Sequence, residues 1–511
     1  MNNVTLKLSN NTAFEWTTNN GIHLKGYFFN DNQLISNQSL ICKIEEIDTV
    51  EQIQSLFQNL SGSFVAIIDK PQFLCLVADK TASSQLFYRQ ENNSIVVTDD
   101  IYLMPKNQLV EDAKFQYTPL GFVLSNKTLY EDVSQLTAGQ IVVFQENIYK
   151  KHNYFTLIQN IETNTHANLK LELKQRIQNM TEQMAQIVGN TPVALSLSAG
   201  YDSRLVAYML KKAKIDNVLC FTFGAKESNP EIEIAQDVAR KLNFQWQFID
   251  YSNISETNLK SDLEFRNYCK FAMQASTKVM FTPFFAAKQL LQNDLVSRKT
   301  IVMSGLGGDT FSGKELRHYM KNYKSLKTVA TDLAYENCRM VKLNKSERKK
   351  VSSLIASELY DCEHLFQNIE NWMLLELYPK FLASRQRVWE FFGCRTYTPF
   401  NNDEFVDFFS KIPFEYRLNQ KLYIEVINEL FEEFDMNYPK ITVNQQKLLT
   451  ILKVRLKRLF PALRKNNGFD IKHFEQHRFY SQFLDDINSK FGSSQAISYN
   501  GIFAEWLLTL L

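Results

Sequence analysis

Two short segments rich in serine, glycine and aspartate carry residue types that could bind a polyphosphate. The first, residues 198–203, reads Ser-Ala-Gly-Tyr-Asp-Ser and lies between a predicted buried strand and an amphipathic helix. A turn of small residues exposes backbone N–H groups at the positive end of the helix dipole, where phosphate oxygens bind. Asp202 would repel that anion unless a cation lay between them, so this carboxylate predicts pyrophosphate held together with Mg²⁺. An ordinary N-capped turn is the alternative interpretation.

The second segment, residues 304–313, reads Ser-Gly-Leu-Gly-Gly-Asp-Thr-Phe-Ser-Gly and follows another apolar strand. Parallel strands present their carboxyl ends at one edge of a sheet, so Asp202 and Asp309 are predicted to hold one Mg²⁺ from two sides. Residues 308–314 also match the start of a Walker A pattern. Glu315 stands where that pattern needs a serine or threonine, which argues against a Walker NTPase.

The elements around these segments alternate between strands and helices, which is typical of a parallel sheet covered by helices. The predicted strands cover residues 191–197, 218–223, 246–249 and 300–303. A helix from about Asn229 places four apolar residues on one face, and beyond about Lys314 the chain is mainly helical. Those four residues are Ala235, Val238, Ala239 and Leu242.

The first third of the chain has a different pattern of apolar residues. Short alternating runs rich in β-branched residues, from about Gly26 to Phe144, predict an antiparallel β domain. A polar stretch between Gln159 and Ala167 is the predicted linker. We therefore expect two domains, residues 1–158 and 168–511.

Bulk composition excludes several classes of protein. The 511 residues carry 57 Lys+Arg against 55 Asp+Glu, a net charge of +2, so no nucleic-acid partner is expected. No apolar run is long enough for a membrane span. Seven cysteines without a CxxC pair, and histidines without a ligand spacing, predict reduced thiols in a cytoplasmic protein and no zinc site. The basic run within residues 453–465 is interpreted as a solvated helix face, with an anionic membrane face as the alternative.

The two segments together resemble those of the asparagine synthetase family. Residues 198–203 resemble its SGGxDS pyrophosphate loop, and residues 305–310, GLGGDT, its GxGSDE segment. Residues 221–224 with the following helix resemble the strand and helix beside the adenine. The resemblance implies ATP and Mg²⁺ as cofactors and Asp202 and Asp309 as catalytic, metal-binding residues. The nucleotide-binding residues that it implies are Ser196, Leu197, Ser198, Ala199, Gly200, Tyr201, Ser203, Phe223, Gly224, Ser304 and Gly305.

The resemblance covers nearly the whole chain and becomes weaker after about Lys447. Residues 60–66, LSGSFVA, resemble a strand of the family's glutaminase sandwich, and residues 78–88 a neighbouring stretch. The implied fold is α/β: a degenerate, Ntn-hydrolase-like antiparallel β sandwich, then a parallel-sheet, Rossmann-like ATP-pyrophosphatase (PP-loop) domain with a helical C-terminal part. Arg387 and a lysine are implied to complete the active site. Lys447 is preferred to Lys440 and Lys421.

Two departures from the family pattern bear on the reaction. Glutamine-hydrolysing members carry a cysteine directly after the initiator methionine, whereas Asn2 stands here and the first cysteine is Cys42. Leu306 replaces a glutamate that manages the proton of ammonia, and leucine cannot act as a base. Either another group deprotonates the nucleophile, or the nucleophile differs from ammonia.

These observations favour an AMP-forming amide synthetase that adenylates a carboxylate and transfers it to an amine or ammonia, without its own glutaminase activity. By analogy with divergent members of the family, its partners would be small-molecule substrates, such as a uronic or amino acid unit of a surface polysaccharide or a small natural-product acid. A homodimer is a further expectation. The alternatives are an ammonia-dependent asparagine synthetase and a non-catalytic partner subunit of the same fold.

Overall fold

The fold is that of a computed structural model, which describes residues 3–9, 13–91, 94–105, 108–145, 148–224, 231–251, 259–438 and 499–511. Three sheets organise it. No helix among these residues combines the length and apolar character needed to cross a bilayer. All seven cysteines are free thiols, consistent with the absence of a disulfide pattern in the sequence.

The N-terminal part contains two β-sheets whose strands are mostly antiparallel. The smaller sheet has the order β1-β8-β7-β9, and the larger β11-β10-β6-β5-β3-β2, with β4 paired to β3. One pair departs from the prediction, because β1 runs parallel to β8. The strands are β1 (Asn3–Lys7), β2 (Thr17–Asn19), β3 (Ile22–Asn30), β4 (Gln33–Ile35), β5 (Ser61–Lys70), β6 (Phe73–Ala78), β7 (Phe87–Glu91), β8 (Ser94–Thr98), β9 (Ser134–Gln135), β10 (Gln140–Gln145) and β11 (Ile148–Asn153).

The two sheets face each other across a shared apolar core. Ile67 of β5 and Leu76 of β6 belong to the same cluster as Tyr88 of β7 and Val97 of β8. The opposite face of the larger sheet is covered by helices α1 (Asn37–Glu45) and α2 (Val50–Asn59). The predicted antiparallel sandwich is thus confirmed, with an additional helical layer.

A five-stranded sheet in the order β14-β13-β12-β15-β16 forms the second half of the structure, and all its pairs are parallel. The predicted strands lie where expected, and β16 was not predicted. The strands are β12 (Val193–Ser196), β13 (Val218–Gly224), β14 (Gln245–Asp250), β15 (Ile301–Ser304) and β16 (Arg395–Tyr397).

Helices cover both faces of the parallel sheet. Leu195 and Met303 pack on one side and Ala194 and Val302 on the other, so every central strand is buried on both faces, as parallel strands require. The helices after α2 are α3 (Glu111–Leu120), α4 (His166–Val188), α5 (Tyr201–Lys212), α6 (Glu231–Lys241), α7 (Leu263–Met273), α8 (Pro283–Gln292), α9 (Gly308–Phe311), α10 (Leu326–Asn337), α11 (Lys345–Ala356), α12 (Gln367–Trp372), α13 (Arg387–Phe391), α14 (Asp403–Lys411), α15 (Phe414–Arg417), α16 (Lys421–Phe431) and α17 (Tyr499–Leu508).

A π-helix and several 3-10 turns complete the described elements. A π-helix covers Met373–Leu382, and 3-10 turns cover Ile101–Leu103, His318–Asn322, Ala383–Arg385, Pro399–Asn401, Leu418–Gln420 and Glu432–Phe434. The helix predicted from Asn229 begins among the described residues at Glu231 and buries Ala235, Val238 and Ala239, as predicted. An ion pair of 3.1 Å joins Lys80, just after β6, to Asp403 of α14 and so links the two halves.

Asp79 holds the turn after β6. Its carboxylate is fully buried and accepts hydrogen bonds from the backbone N–H groups of Phe64 (3.0 Å), Thr81 (2.7 Å) and Ser83 (3.0 Å). The hydroxyls of Thr81 and Ser83 donate to it as well. Burial raises the pKa of Asp79, while these hydrogen bonds lower it.

We predict that Asp79→Ala lowers the free energy of unfolding by about 2–4 kcal/mol, because several buried donors lose their acceptor. The midpoint of urea unfolding, followed by tryptophan fluorescence, measures this change. The exposed Asp48, changed to alanine, is the control. Equal midpoints for the two variants would contradict the structural role of Asp79.

Candidate active site

The segment 198–203 forms a tight turn from β12 into α5. Gly200 is the N-cap of α5, so the backbone N–H groups of the first turn lack partners within the helix. The turn is fixed by its own hydroxyls: the Ser198 N–H donates to the Ser203 hydroxyl (3.0 Å), and the Gly200 N–H to the Ser198 hydroxyl (3.1 Å). The turn therefore has its shape before any ligand binds.

The neighbouring strands place the other predicted binding residues around this turn. Ser196 and Ser304 are the last residues of β12 and β15 and are paired in register. Phe223 and Gly224 end β13 on the other side of β12. Leu197 is buried and donates its N–H to the carbonyl of Phe221 (2.9 Å). The sheet thus brings the predicted nucleotide-binding residues together at one edge.

The second segment turns back sharply after β15. Gly307 adopts a left-handed conformation, with φ of 98°, and the short helix α9 starts at Gly308. A Cβ atom on Gly305 would lie 2.4 Å from the backbone nitrogen of Ser203. A Cβ on Gly308 would lie 2.6 Å from the carboxyl carbon of Asp202. Glycine at these positions lets the two segments touch.

Asp202 and Asp309 meet at this contact. The backbone N–H of Asp309 donates to Asp202 Oδ2 (3.0 Å), and the Tyr423 hydroxyl donates to Asp202 Oδ1 (2.7 Å). Tyr423 lies on α16 and is fully buried. The structure therefore brings together the two carboxylates that the sequence placed at one sheet edge.

The negative charges of Asp202 and Asp309 repel each other, and a cation would reduce this repulsion. Burial, and then the negative charge of Asp309, raise the pKa of Asp202 to about 7. Lys314 forms an ion pair with Asp309, and the Lys314 side chain is about half exposed. A largely buried carboxylate beside a partly exposed one, at a phosphate-type turn, suits Mg²⁺, which takes one or two protein carboxylates and completes its shell with phosphates and water. Among the described residues there is no group of three or more potential metal ligands.

The remaining predicted site residues either contact groups other than the pair or lie outside the described residues. Arg387 is buried on α13 and donates to the carbonyl of Ala272, and burial lowers its pKa to about 10. Lys421 is exposed at the start of α16 and lies 5.9 Å from the ring centre of Tyr416. Lys447 and Lys440 lie outside the described residues.

Several residues at the site escaped the sequence analysis. Gln386 donates to the hydroxyl of Ser304 (2.6 Å), and Arg385 lies close enough to Asp309 for their charges to interact. Tyr423 lies more than 200 positions from Asp202, so no local pattern could connect them. Lys314 did have a signal, since it is the lysine of the Walker-like pattern, although its role differs from that of a Walker lysine.

A cavity of about 90 Å³ lies between the N-terminal sheets and the parallel-sheet half. Leu306 and Arg387 line it on one side, and Lys25 and Asp99 line it on the other. Lys25 forms a buried ion pair with Asp99 (3.2 Å), to which Trp16 also donates a hydrogen bond (3.0 Å). The cavity is large enough for several water molecules or a small solute.

Comparison with solved structures gives distant likenesses, three of which are a thiolase and two synthetases. A U34-tRNA thiolase from Methanococcus maripaludis is 14% identical, with 62% of this chain and 80% of that chain covered and a TM-score of 0.25. An NH3-dependent NAD synthetase from Campylobacter jejuni is 16% identical, with 37% and 97% covered and a TM-score of 0.22. An NMN synthetase from Francisella tularensis is 14% identical, with 45% and 94% covered and a TM-score of 0.21. At these scores the likenesses carry no argument about function.

No curated protein sequence matches the chain. Its family is nevertheless clear, because residues 178–458, more than half of the sequence, match asparagine synthase. The matched region contains both aspartates and the strands β12 to β16 that position them. The chain therefore belongs to the asparagine synthase family.

Proposed function

We propose that the protein is an AMP-forming amide synthetase, which adenylates a carboxylate with ATP and transfers the acyl group to an amine or ammonia. Family membership supports ATP-dependent amide synthesis. The single observation that carries the proposal is the contact between Asp202 and Asp309 beside the turn at residues 198–203.

The protein's own residues would act by position and charge. The turn at residues 198–203 would bind the phosphates through backbone N–H groups, and the hydroxyls of Ser198 and Ser203 would hold that turn in shape. Asp202 and Asp309 would hold Mg²⁺, which supplies charge neutralisation on the phosphate oxygens. Lys314 pairs with Asp309 and the charge of Arg385 interacts with it, and Lys447 remains our proposal for a further cation.

The carboxylate would attack the α-phosphorus of ATP, and pyrophosphate would leave. This step replaces an oxide leaving group with AMP, so the amine can then attack the acyl carbon. Positive charge around the phosphates favours the step, because negative charge builds on the bridging oxygen as it breaks away.

We further propose that residues 1–158 form a degenerate glutaminase-type domain and residues 168–511 the synthetase domain. Support comes from the cavity between them. Its N-terminal wall holds the Lys25–Asp99 ion pair, and none of its described lining residues is a cysteine. A thioester with glutamine needs such a nucleophile, so ammonia or another amine would come from solution or from a partner protein.

Exchange of labelled pyrophosphate into ATP tests this function directly. The assay uses Mg²⁺, ATP and single acids: aspartate, glutamate, galacturonate and N-acetylmuramate. Exchange with an acid other than aspartate is the expected result, because Leu306 departs from the asparagine synthetase pattern. Exchange with aspartate alone would indicate an asparagine synthetase, and silence together with no binding of ATP would indicate a non-catalytic subunit.

We predict that Asp202→Asn and Asp309→Asn each lower the exchange rate by about 100- to 1,000-fold, because each removes half of the charge that holds the cation. Rates are measured at saturating ATP with the best acid of the panel. The exposed Asp216, changed to asparagine, is the control and should leave the rate unchanged. A wild-type rate in either active-site variant would rule out the shared-cation site.

We also predict that Gly308→Ala weakens binding of Mg-ATP by at least about tenfold, since the new methyl group overlaps Asp202 and pushes the two segments apart. Calorimetric titration with ATP measures the affinity without any acid. The exposed Asp216, changed to asparagine, is again the control and should bind Mg-ATP as the wild type does. Unchanged affinity in Gly308→Ala would show that the close contact is not needed for binding.

A further inference from the structure

The cavity beside Leu306 contains carboxylates that the proposed chemistry has not used. Leu306 lines the cavity and precedes Asp309 by three residues in the same turn. This side of the cavity therefore adjoins the place where the acyl adenylate would form. An amine approaching the acyl carbon from the cavity must lose a proton as the amide bond forms. Leu306 cannot take that proton.

Three carboxylates line the cavity: Asp99, Asp100 and Glu390. Asp99 is already engaged, since it accepts from Trp16 (3.0 Å), from Lys25 (3.2 Å) and from both the N–H and the hydroxyl of Ser9. Three of these four donors share Oδ2, and the charge of the carboxylate is paired with the buried Lys25.

The Asp100 carboxylate caps a backbone turn that begins at the next residue. It is the N-cap of the 3-10 turn Ile101–Leu103 and accepts from the N–H of Tyr102 (3.1 Å). It also belongs to the N-terminal part, on the wall of the cavity opposite the turn that bears Leu306. Its role is therefore structural.

Glu390 differs from these two aspartates in its hydrogen bonds and in the wall of the cavity on which it lies. It is half-buried on α13, in the synthetase half, and its side chain accepts one hydrogen bond, from the Thr396 hydroxyl at 3.3 Å. Arg387 lies three residues earlier on the same helix, and the two charges attract each other. The Oε2 atom of Glu390 accepts no hydrogen bond among the described residues, and Glu390 lines a space large enough for a small amine.

We propose that Glu390 is the general base of amide formation, at the wall of a chamber that admits ammonia or a small primary amine. This inference rests on the proposed function. The neutral amine attacks the acyl carbon of the adenylate, the C–N bond forms, and AMP leaves as the C–O bond breaks. The proton released from nitrogen passes to the Glu390 carboxylate and then to water.

The test separates the two half-reactions in the intact protein. Glu390→Gln keeps the size of the side chain and an oxygen to accept from Thr396, but it removes the base. Amide formation from ammonium chloride or methylamine should fall by about 100-fold or more, while pyrophosphate exchange with the same acid stays unchanged. Glu363→Gln, at an exposed glutamate, is the matched control.

Hydroxylamine provides a readout that a structural role would not change. Its adduct loses a proton far more readily than that of ammonia and needs no base, so hydroxamate formation by Glu390→Gln should stay within about threefold of the wild-type rate. Loss of pyrophosphate exchange in Glu390→Gln, or equal losses with hydroxylamine and ammonia, would overturn the assignment. Absence of exchange in the wild type with every acid would instead overturn the proposed function, and the assignment with it.

Discussion

The close packing of two glycine-containing turns is the constraint on which the rest of the site depends. Gly305 and Gly308 allow the turn after β15 to rest against Asp202 with no side chain between them. The result is a pair of carboxylates that repel each other, with one of them largely removed from water. Such a pair is unfavourable in the isolated protein and is stabilised by a cation.

Sheet geometry delivers that contact. β12 and β15 are parallel neighbours in register, so their carboxyl ends coincide and the two turns leave the sheet side by side. The N-terminus of α5 lies where the phosphates would bind, and Tyr423 of α16 donates a hydrogen bond to Asp202. The buried phenol stays protonated, because burial raises its pKa well above the usual range, and it therefore remains a donor to Asp202. The ligand-binding edge is a consequence of strand order, while its electrostatics come from distant parts of the chain.

The sequence was sufficient to locate this sheet edge, but it did not reveal all the residues that surround it. The strands β12 to β15 and both aspartates could be predicted because buried parallel strands read as apolar runs and the turns that follow have unusual composition. β16 was missed because three residues, Arg395–Tyr397, give no periodicity. Helices α1 and α2 were missed because their short apolar faces were interpreted as part of the alternating β pattern, although Thr49 forms a capping box with Gln52.

Tyr423, Gln386 and Glu390 reach the site only through tertiary packing. The predicted role of Arg387 stays a prediction, and its observed contact is with a backbone carbonyl.

The central claim is that one divalent ion is held by both Asp202 and Asp309 when nucleotide is bound. A crystal structure with Mn²⁺ and a non-hydrolysable ATP analogue, with anomalous scattering used to locate the metal, measures this directly. We expect an anomalous peak about 2.0–2.2 Å from an oxygen of each carboxylate, with phosphate oxygens completing the shell. A metal bound by the phosphates alone, with both aspartates outside its coordination sphere, would contradict the claim.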